Sequence, residues 1–410
     1  MSFLGLGQSS DRYGIIIDIG SGSVLTAIVH SNPSQKHPKI VWSHREHAPL
    51  RNIDSLEQSS KAVITALVNA SVLIDSEGRK ALHEYNQEAQ PTDLQCSIAA
   101  PWSYTVTKTI NYNQEESFEI TEELIADLTK TIQDKISVEV NEDEALKNLG
   151  LKTILRTTMD IIANGYRVRY PEGEKAEEIA ISHATIVAQE YLIDAVDEMK
   201  DKLFTQTLSR KLSFMIMLFS ITREVIPHAY DVCLVDITYE ATEIGVVRDG
   251  VISYCTHVPF GSFSLAREIS AITSAPLHEA FAYLHTEKPY SFIESLTKTQ
   301  SEEVEAVFES YIDKVSTLFH ETGDRLSIPK HISLHADLKS ESLFLDLIDK
   351  AARRAIKSDP NITPISKEII RQTYKQTTDD AADDIPVDTA LLLSAQFFHK
   401  QKQYRNYEYL

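Results

Sequence analysis

Asp18, Gly20, Ser21, Gly22 and Ser23 fall together between two apolar runs, in YGIIIDIGSGSVLTAIV from Tyr13 to Val29. Small residues let an anion approach the backbone N–H groups of a tight turn, and successive N–H groups hold phosphate oxygens. A carboxylate beside the turn can hold the hydrated Mg²⁺ that neutralises the rest of the charge. The grouping fits phosphate binding with Asp18 on the metal side. A plain hairpin with a glycine turn accounts for the same residues.

A second copy favours the functional reading. IIIDIGSGSVLTAIV (Ile15 to Val29) aligns without a gap to CLVDITYEATEIGVV (Cys233 to Val247), which places Asp18 on Asp236. A repeated strand, Asp, turn and strand implies two related lobes, each offering a carboxylate at a strand end across a shared cleft. A dinucleotide-binding turn does not fit. The third glycine position of G-x-G-x-x-G is Leu25, and the next segment alternates as a strand where a helix is required. No glycine-rich turn is followed by Lys-Ser or Lys-Thr, so a P-loop is absent as well.

The elements that must position these groups follow from hydrophobic period and turn signals. A strand is expected at Lys39 to Ser43 and a helix at Ser55 to Leu73, followed by a polar stretch from Asp75 to Asp93. Strands at Leu94 to Ala100 and Tyr104 to Ile110 lead to a helix capped by Thr121. Strands at Thr153 to Ile162 and Tyr166 to Tyr170, then a strand running into a helix through IAISHATIVAQEYLIDAVDEMKDKLF, complete a compact α/β insertion. Beyond the second copy come helices at Ser264 to Leu284 and Glu302 to Thr322, the strand HISLHAD, and helices from Ser342 to Lys357 and through DTALLLSAQFFHKQKQ.

Composition bounds the function. The chain has 410 residues, 42% of them hydrophobic, enough for a sizeable core spread over two or more domains. Forty basic against 60 acidic residues give a net charge of −20, a field that repels nucleic acid, so nucleic acid is not an expected partner. Cys96, Cys233 and Cys255 have no C-x-x-C spacing, which points to a reducing cytoplasm and away from a thiolate zinc site. The start MSFLGLGQSSDR lacks a basic leader region, and LSFMIMLFSI is about half the ~20 residues of a spanning helix, so it reads as a buried helix or strand. His44 and His47 fall on opposite faces of an extended segment, and no zinc is expected there. The cluster Glu115, Glu116, Glu119, Glu122 and Glu123 reads as a solvated helix start.

Taken in order, these pieces resemble the actin-like ATPase superfamily, and within it the bacterial branch of FtsA and PilM. YGIIIDIGSGSVLTAIV is similar to that family's first phosphate motif, LVDITYEATEIGVVRDGVISYCTHVPFG to its second, and HISLHADLKSESLFLDLI stands in the place of its adenosine motif. The segment from Gln95 to about Phe204 resembles the small α/β insertion of this branch. The resemblance implies an α/β, actin-like (ribonuclease H-like) two-lobed fold with a small insertion subdomain. It also implies ATP and Mg as cofactors, with Asp18, Gly20, Ser21, Gly22, Ser23, Asp236, Thr238 and Thr242 as binding residues. Asp18 and Asp236 would hold the metal through water. Domains are expected at 1–93 and 205–230 for the first lobe, 94–204 for the insertion, 231–385 for the second lobe and 386–410 for a C-terminal helix and tail.

The departures fall on nucleotide contacts. The family's second turn is usually Asp-Ile-Gly-Gly-Gly-Thr, and here it reads Asp236-Ile237-Thr238-Tyr239-Glu240-Ala241-Thr242-Glu243; His335 and Ala336 stand where a Gly-Gly pair follows the adenosine strand. Glu240 and Glu243 add negative charge near the phosphates, unless that acidic pair helps to hold Mg²⁺. The resemblance then implies a cytoplasmic scaffold, weak or inactive as an ATPase, that docks on the cytosolic segment of an inner-membrane protein in pilus assembly or cell division. An active ATPase that switches or polymerises into a homo-oligomer or filament is the alternative. The aromatic-basic end AQFFHKQKQYRNYEYL reads as a packed helix with a frayed tail in preference to a membrane-surface segment, and the lack of a distinct linker leans towards PilM.

Overall fold

The computed structural model describes residues 11–49, 56–142, 150–226, 230–286, 288–321, 328–356, 358–369 and 388–401. The first repeat forms β1 (Arg12–Ile19) and β2 (Ser23–Ser31), and β3 (Lys39–His47) completes an antiparallel meander. Helix α1 (Leu56–Leu73) runs through a π-helical turn into α2 (Arg79–Tyr85), so part of the stretch read as polar is helical, anchored by buried Ile74 and Leu82. Strands β4 (Asp93–Ile98) and, much later, β9 (Leu208–Ser213) add in parallel, giving the order β3-β2-β1-β4-β9.

Between β4 and β9 lies the insertion. It contains β5 (Ser103–Glu119), α3 (Glu122–Glu142), β6 (Leu151–Ala163), β7 (Tyr166–Arg167), β8 (Lys175–Gln189) and α4 (Glu190–Leu203), with sheet order β5-β8-β6-β7. The Thr121 hydroxyl accepts the Leu124 N–H at 3.1 Å, the cap its sequence position predicts. Ile132 and Ile136 of α3 bury against Ile161, Ile179 and Ile181 of the sheet. The chain then returns through β9 (Leu208–Ser213) and α5 (Phe214–Val225), so the longest apolar run is a buried helix.

The second repeat forms β10 (Val232–Ile237) and β11 (Thr242–Arg248), followed by β12 (Val251–Val258). Helices α6 (Ser262–Thr273), α7 (Leu277–Leu284) and α8 (Lys298–His320) precede β13 (His331–His335), α9 (Glu341–Ala355), β14 (Asn361–Pro364), α10 (Ile365–Ile369) and α11 (Thr389–Lys400). The sheet order is β12-β11-β10-β13-β14, the first lobe's order repeated strand for strand, with the same antiparallel meander and two parallel additions.

Strand alternation sorts the side chains onto two faces of each sheet. Ile15, Ile17 and Ile19 face α1 and α4, whereas Ile16, Leu25, Ala27 and Val29 face α11. In the second sheet Val235, Ile237 and Ile244 face α6, α8 and α9, and Leu234 and Val247 face α5. Helices α5 and α11 thus form a shared layer between the sheets, and Phe397 and Phe398 are buried there. Tyr404, Tyr407 and Tyr409 lie outside the described residues. Among the described residues no helix is long and apolar enough to cross a membrane.

Candidate functional site: the interlobe cleft

Asp18 and Asp236 end the central strands of the two sheets and line one cleft. Each is served by the residue beside it on the neighbouring parallel strand. Ser97 on β4 donates its hydroxyl to Asp18 Oδ1 at 2.7 Å, and His335 Nδ1 on β13 lies 2.7 Å from Asp236 Oδ1. On the other side the repeats diverge, since Leu25 faces Asp18 in register and Glu243 faces Asp236. Burial pushes Asp18 up to about 6, although the Arg45 charge and the Ser97 bond pull the other way. Burial, with the Asp236 charge added, holds Glu243 well above the usual carboxylate range. Burial disfavours a charged His335, but the bond to Asp236 and its charge outweigh that and raise the imidazole. Asp236 Oδ2 and Glu243 Oε2 are buried with no hydrogen-bond partner among the described residues.

The two turns meet each other directly. Gly20 N–H closes onto the Ser23 carbonyl at 2.9 Å, and Trp102 Nε1–H holds the Gly20 carbonyl at 3.1 Å. Ser21 Oγ accepts the Glu240 N–H from the opposite lobe at 2.8 Å. The Tyr239 ring lies against Gly22 so closely that a Cβ there would overlap its Cδ2 and stand 2.7 Å from its Cγ. Glycine permits this approach, and the approach is made by a side chain of the same protein. Tyr239 continues outward to His47 Nδ1, 3.2 Å from its hydroxyl, and packs edge-on against Phe281 with centroids 5.2 Å apart.

Arg45, on β3, is the cleft's lysine- or arginine-type cation among its described lining residues. Its Nε and Nη2 grip Asp388 at 2.7 and 2.9 Å, and its Nη1 donates to Ser23 Oγ at 2.8 Å. Asp388 also accepts the Leu391 N–H at 3.0 Å as the N-cap of α11. Burial opposes ionisation of Asp388, but the Arg45 charge and hydrogen bonds prevail and lower it.

Asp18, Gly20, Ser21, Gly22, Ser23, Asp236 and Thr238 all line this cleft. The Thr238 hydroxyl is engaged within its own turn, donating to the Ala241 carbonyl at 2.9 Å. Thr242 is not among the residues that line the cleft. It sits on the opposite face of β11 from Glu243, with its hydroxyl donated to the Phe260 carbonyl at 2.8 Å and 2.9 Å from Tyr311 Oη, inside the second lobe's core. Glu240 and Glu243 form no joint acidic site. Glu240 is held by Arg267 at 2.8 and 2.6 Å, and Glu243 is buried beside Asp236. His44 bonds Glu46 and His47 faces Tyr239; among the described residues no three His, Cys, Asp or Glu side chains form a metal-binding group.

These residues fit Mg·ATP poorly in this arrangement. The cradle at Gly22 is filled by Tyr239, the Ser21 hydroxyl is spent on Glu240, and His335 takes one oxygen of Asp236. The remaining cavity is about 190 Å³, below the roughly 300–1,000 Å³ of small-molecule sites. Asp18, Asp236, Asp337 and Asp388 line it, and a polyphosphate entering would meet their charge. Arg45, Tyr239 and Asp388 carry this arrangement; sequence reasoning gives Arg45 and Asp388 no cleft role and reads Tyr239 only as a glycine lost from the second turn. Arg45 stands between His44 and His47, where the histidine pair is the local signal, and no sequence pattern marks a residue whose partner lies 343 residues further along the chain.

No family model matches the chain, and no curated protein matches it. Among solved structures, a PilM–PilN type IV pilus biogenesis complex aligns over 94% of this chain and 98% of its own, with 10% identity and a TM-score of 0.57. The fold is actin-like. A protein with an actin-like ATPase fold from Bacteroides thetaiotaomicron aligns over 95% of this chain and 99% of its own, at 8% identity and a TM-score of 0.42. The ethanolamine utilization protein EutJ from Carboxydothermus hydrogenoformans aligns over 95% and 89%, at 10% identity and a TM-score of 0.41. The duplicated sheets and the cleft between them are the two halves of this actin-like architecture.

Proposed function

We propose that this protein is an actin-like scaffold whose closed form needs no nucleotide, and that it is at most a weak ATPase. One observation carries the reading: Tyr239 of the second turn packs on Gly22 of the first while Ser21 accepts the Glu240 N–H. In this arrangement the protein's own groups make the contact between turns that a bound phosphate chain would otherwise bridge. The likeness to a PilM–PilN complex supports a role at the cytoplasmic face of an inner membrane, docking the cytosolic segment of a membrane protein. The acidic net charge suits a basic segment as partner.

Calorimetric titration with Mg·ATP tests the nucleotide part, with Asp18→Ala as control. No heat of binding across millimolar ATP is expected. Saturable binding lost in Asp18→Ala would instead overturn the nucleotide-independent reading and favour the nucleotide-switched one, in which Asp18 and Asp236 serve the metal. Pull-down from the native host tests docking, and recovery of no component of a membrane complex would remove that part.

A further inference from the structure

Asp18, Asp236, Asp337 and Asp388 crowd this cleft, and the chain supplies a positive charge among them from a side chain of its own. Arg45 reaches in from β3 and makes a two-point contact with Asp388, at 2.7 and 2.9 Å, and a third contact with Ser23 Oγ at 2.8 Å. Its charge also acts on Asp18, the carboxylate of the first turn. A planar guanidinium matches a carboxylate at two points and cannot be deprotonated in a protein, so it is a permanent cation of fixed geometry. From strand β3 it joins groups from two other places in the chain, the first turn and the N-cap of α11. A hydrated divalent ion would make the same kind of bridge.

We infer that Arg45 is a tethered cation standing in for a divalent metal, and that it fastens the C-terminal helix to the first turn so that cleft closure is independent of metal as well as of nucleotide. This rests on reading the cleft as nucleotide-independent, and the test uses no nucleotide, so the two can fail separately. With Arg45 in place, its guanidinium occupies the position between Ser23 and Asp388, and Mg²⁺ adds nothing. With Arg45 removed, Asp18 and Asp388 are left as uncompensated carboxylates that a soluble cation can serve.

The experiment is thermal unfolding of the full chain in EDTA and in millimolar MgCl₂, with guanidinium chloride at low millimolar concentration as a second small cation. Wild type should give the same midpoint in EDTA and in MgCl₂. Arg45→Ala should melt lower in EDTA and recover part of the loss saturably with Mg²⁺ or guanidinium, and Arg45→Ala with Asp18→Asn and Asp388→Asn should not recover. A purely structural arginine would give the loss without rescue, and that result overturns the inference. A wild type stabilised by Mg²⁺ overturns it too. Should Arg45→Ala fail to fold, calorimetry of wild type with MgCl₂ decides: no binding is expected, and saturable binding abolished by Asp388→Asn refutes the tethered cation.

Discussion

His335 meets Asp236 at 2.7 Å from the strand position that Ser97 holds opposite Asp18. Equivalent places in two copies of one sheet thus carry a neutral hydroxyl and an ionisable ring. The imidazole is raised in the folded protein, so its contribution to stability is fully present below the unfolded value of 6.5 and is lost as pH rises through the folded value. His335→Asn should therefore cost about 1.5–3 kcal/mol at pH 6, the range for a hydrogen bond to a charged group, and progressively less at higher pH. Denaturant unfolding of both proteins from pH 5.5 to 9 checks this, and a gap that widened with pH would refute it.

Asp18 titrates the same way for a different reason. Its folded value, about 6, lies above the ordinary 3.8, so stability is present below 3.8 and falls as pH rises through 6. A carboxyl raised that far in the folded protein makes a difference on the order of 3 kcal/mol between the two ends of the range. In Asp18→Asn that component of the pH dependence between 4 and 6 should vanish, as urea melts across that range would record. An unchanged slope would show that Asp18 is ionised throughout.

Glu243→Leu copies into the second lobe the residue that faces the aspartate in the first. It removes a buried carboxyl with an unpartnered oxygen beside Asp236. Stability at pH 7.5 should rise by about 1–3 kcal/mol, the penalty of a buried unsatisfied polar group. The gain should shrink towards pH 4.5, where the unfolded Glu243 is also protonated. A destabilised Glu243→Leu would mean that the carboxyl is held by a bond worth more than its burial.

Gly22 and Tyr239 form a coupled pair across the lobes. Gly22→Ala should destabilise by about 1–3 kcal/mol, because its new methyl falls on the Tyr239 ring. In a Tyr239→Ala background the same change should be nearly neutral, giving a coupling of at least ~0.5 kcal/mol in a double-mutant cycle. Additive losses would mean that the turns do not touch in solution.

The repeat is legible because it lies in local order: Ile15 to Val29 and Cys233 to Val247 align without a gap, and the sheets built on them share one strand order. The Asp18 and Asp236 positions follow from that alignment alone. Other features depend on contacts that no window of sequence contains. Tyr239 reads as a glycine lost from a phosphate turn, and only its approach to Gly22 reveals it as a filling group. The motif assigns Thr242 to the site, whereas its face is set by the period of β11. Strand β14, Asn361–Pro364, is too short and too rich in breakers for periodicity to register, and it exists because β13 offers it a parallel edge.

Helix α11 has a bearing on how the molecule is made. Phe398 lies on Gly14 so tightly that a methyl there would overlap the ring, and the Arg12 guanidinium stacks over the same ring at 3.9 Å. The early strands β1 and β2 therefore wait for Thr389–Lys400, synthesised much later, to cover Ile16, Ala27 and Val29. Until then the nascent first sheet presents an uncovered apolar face, the kind of surface on which chaperones act and aggregates nucleate. The first sheet is begun early and sealed only by a helix made far later in the chain.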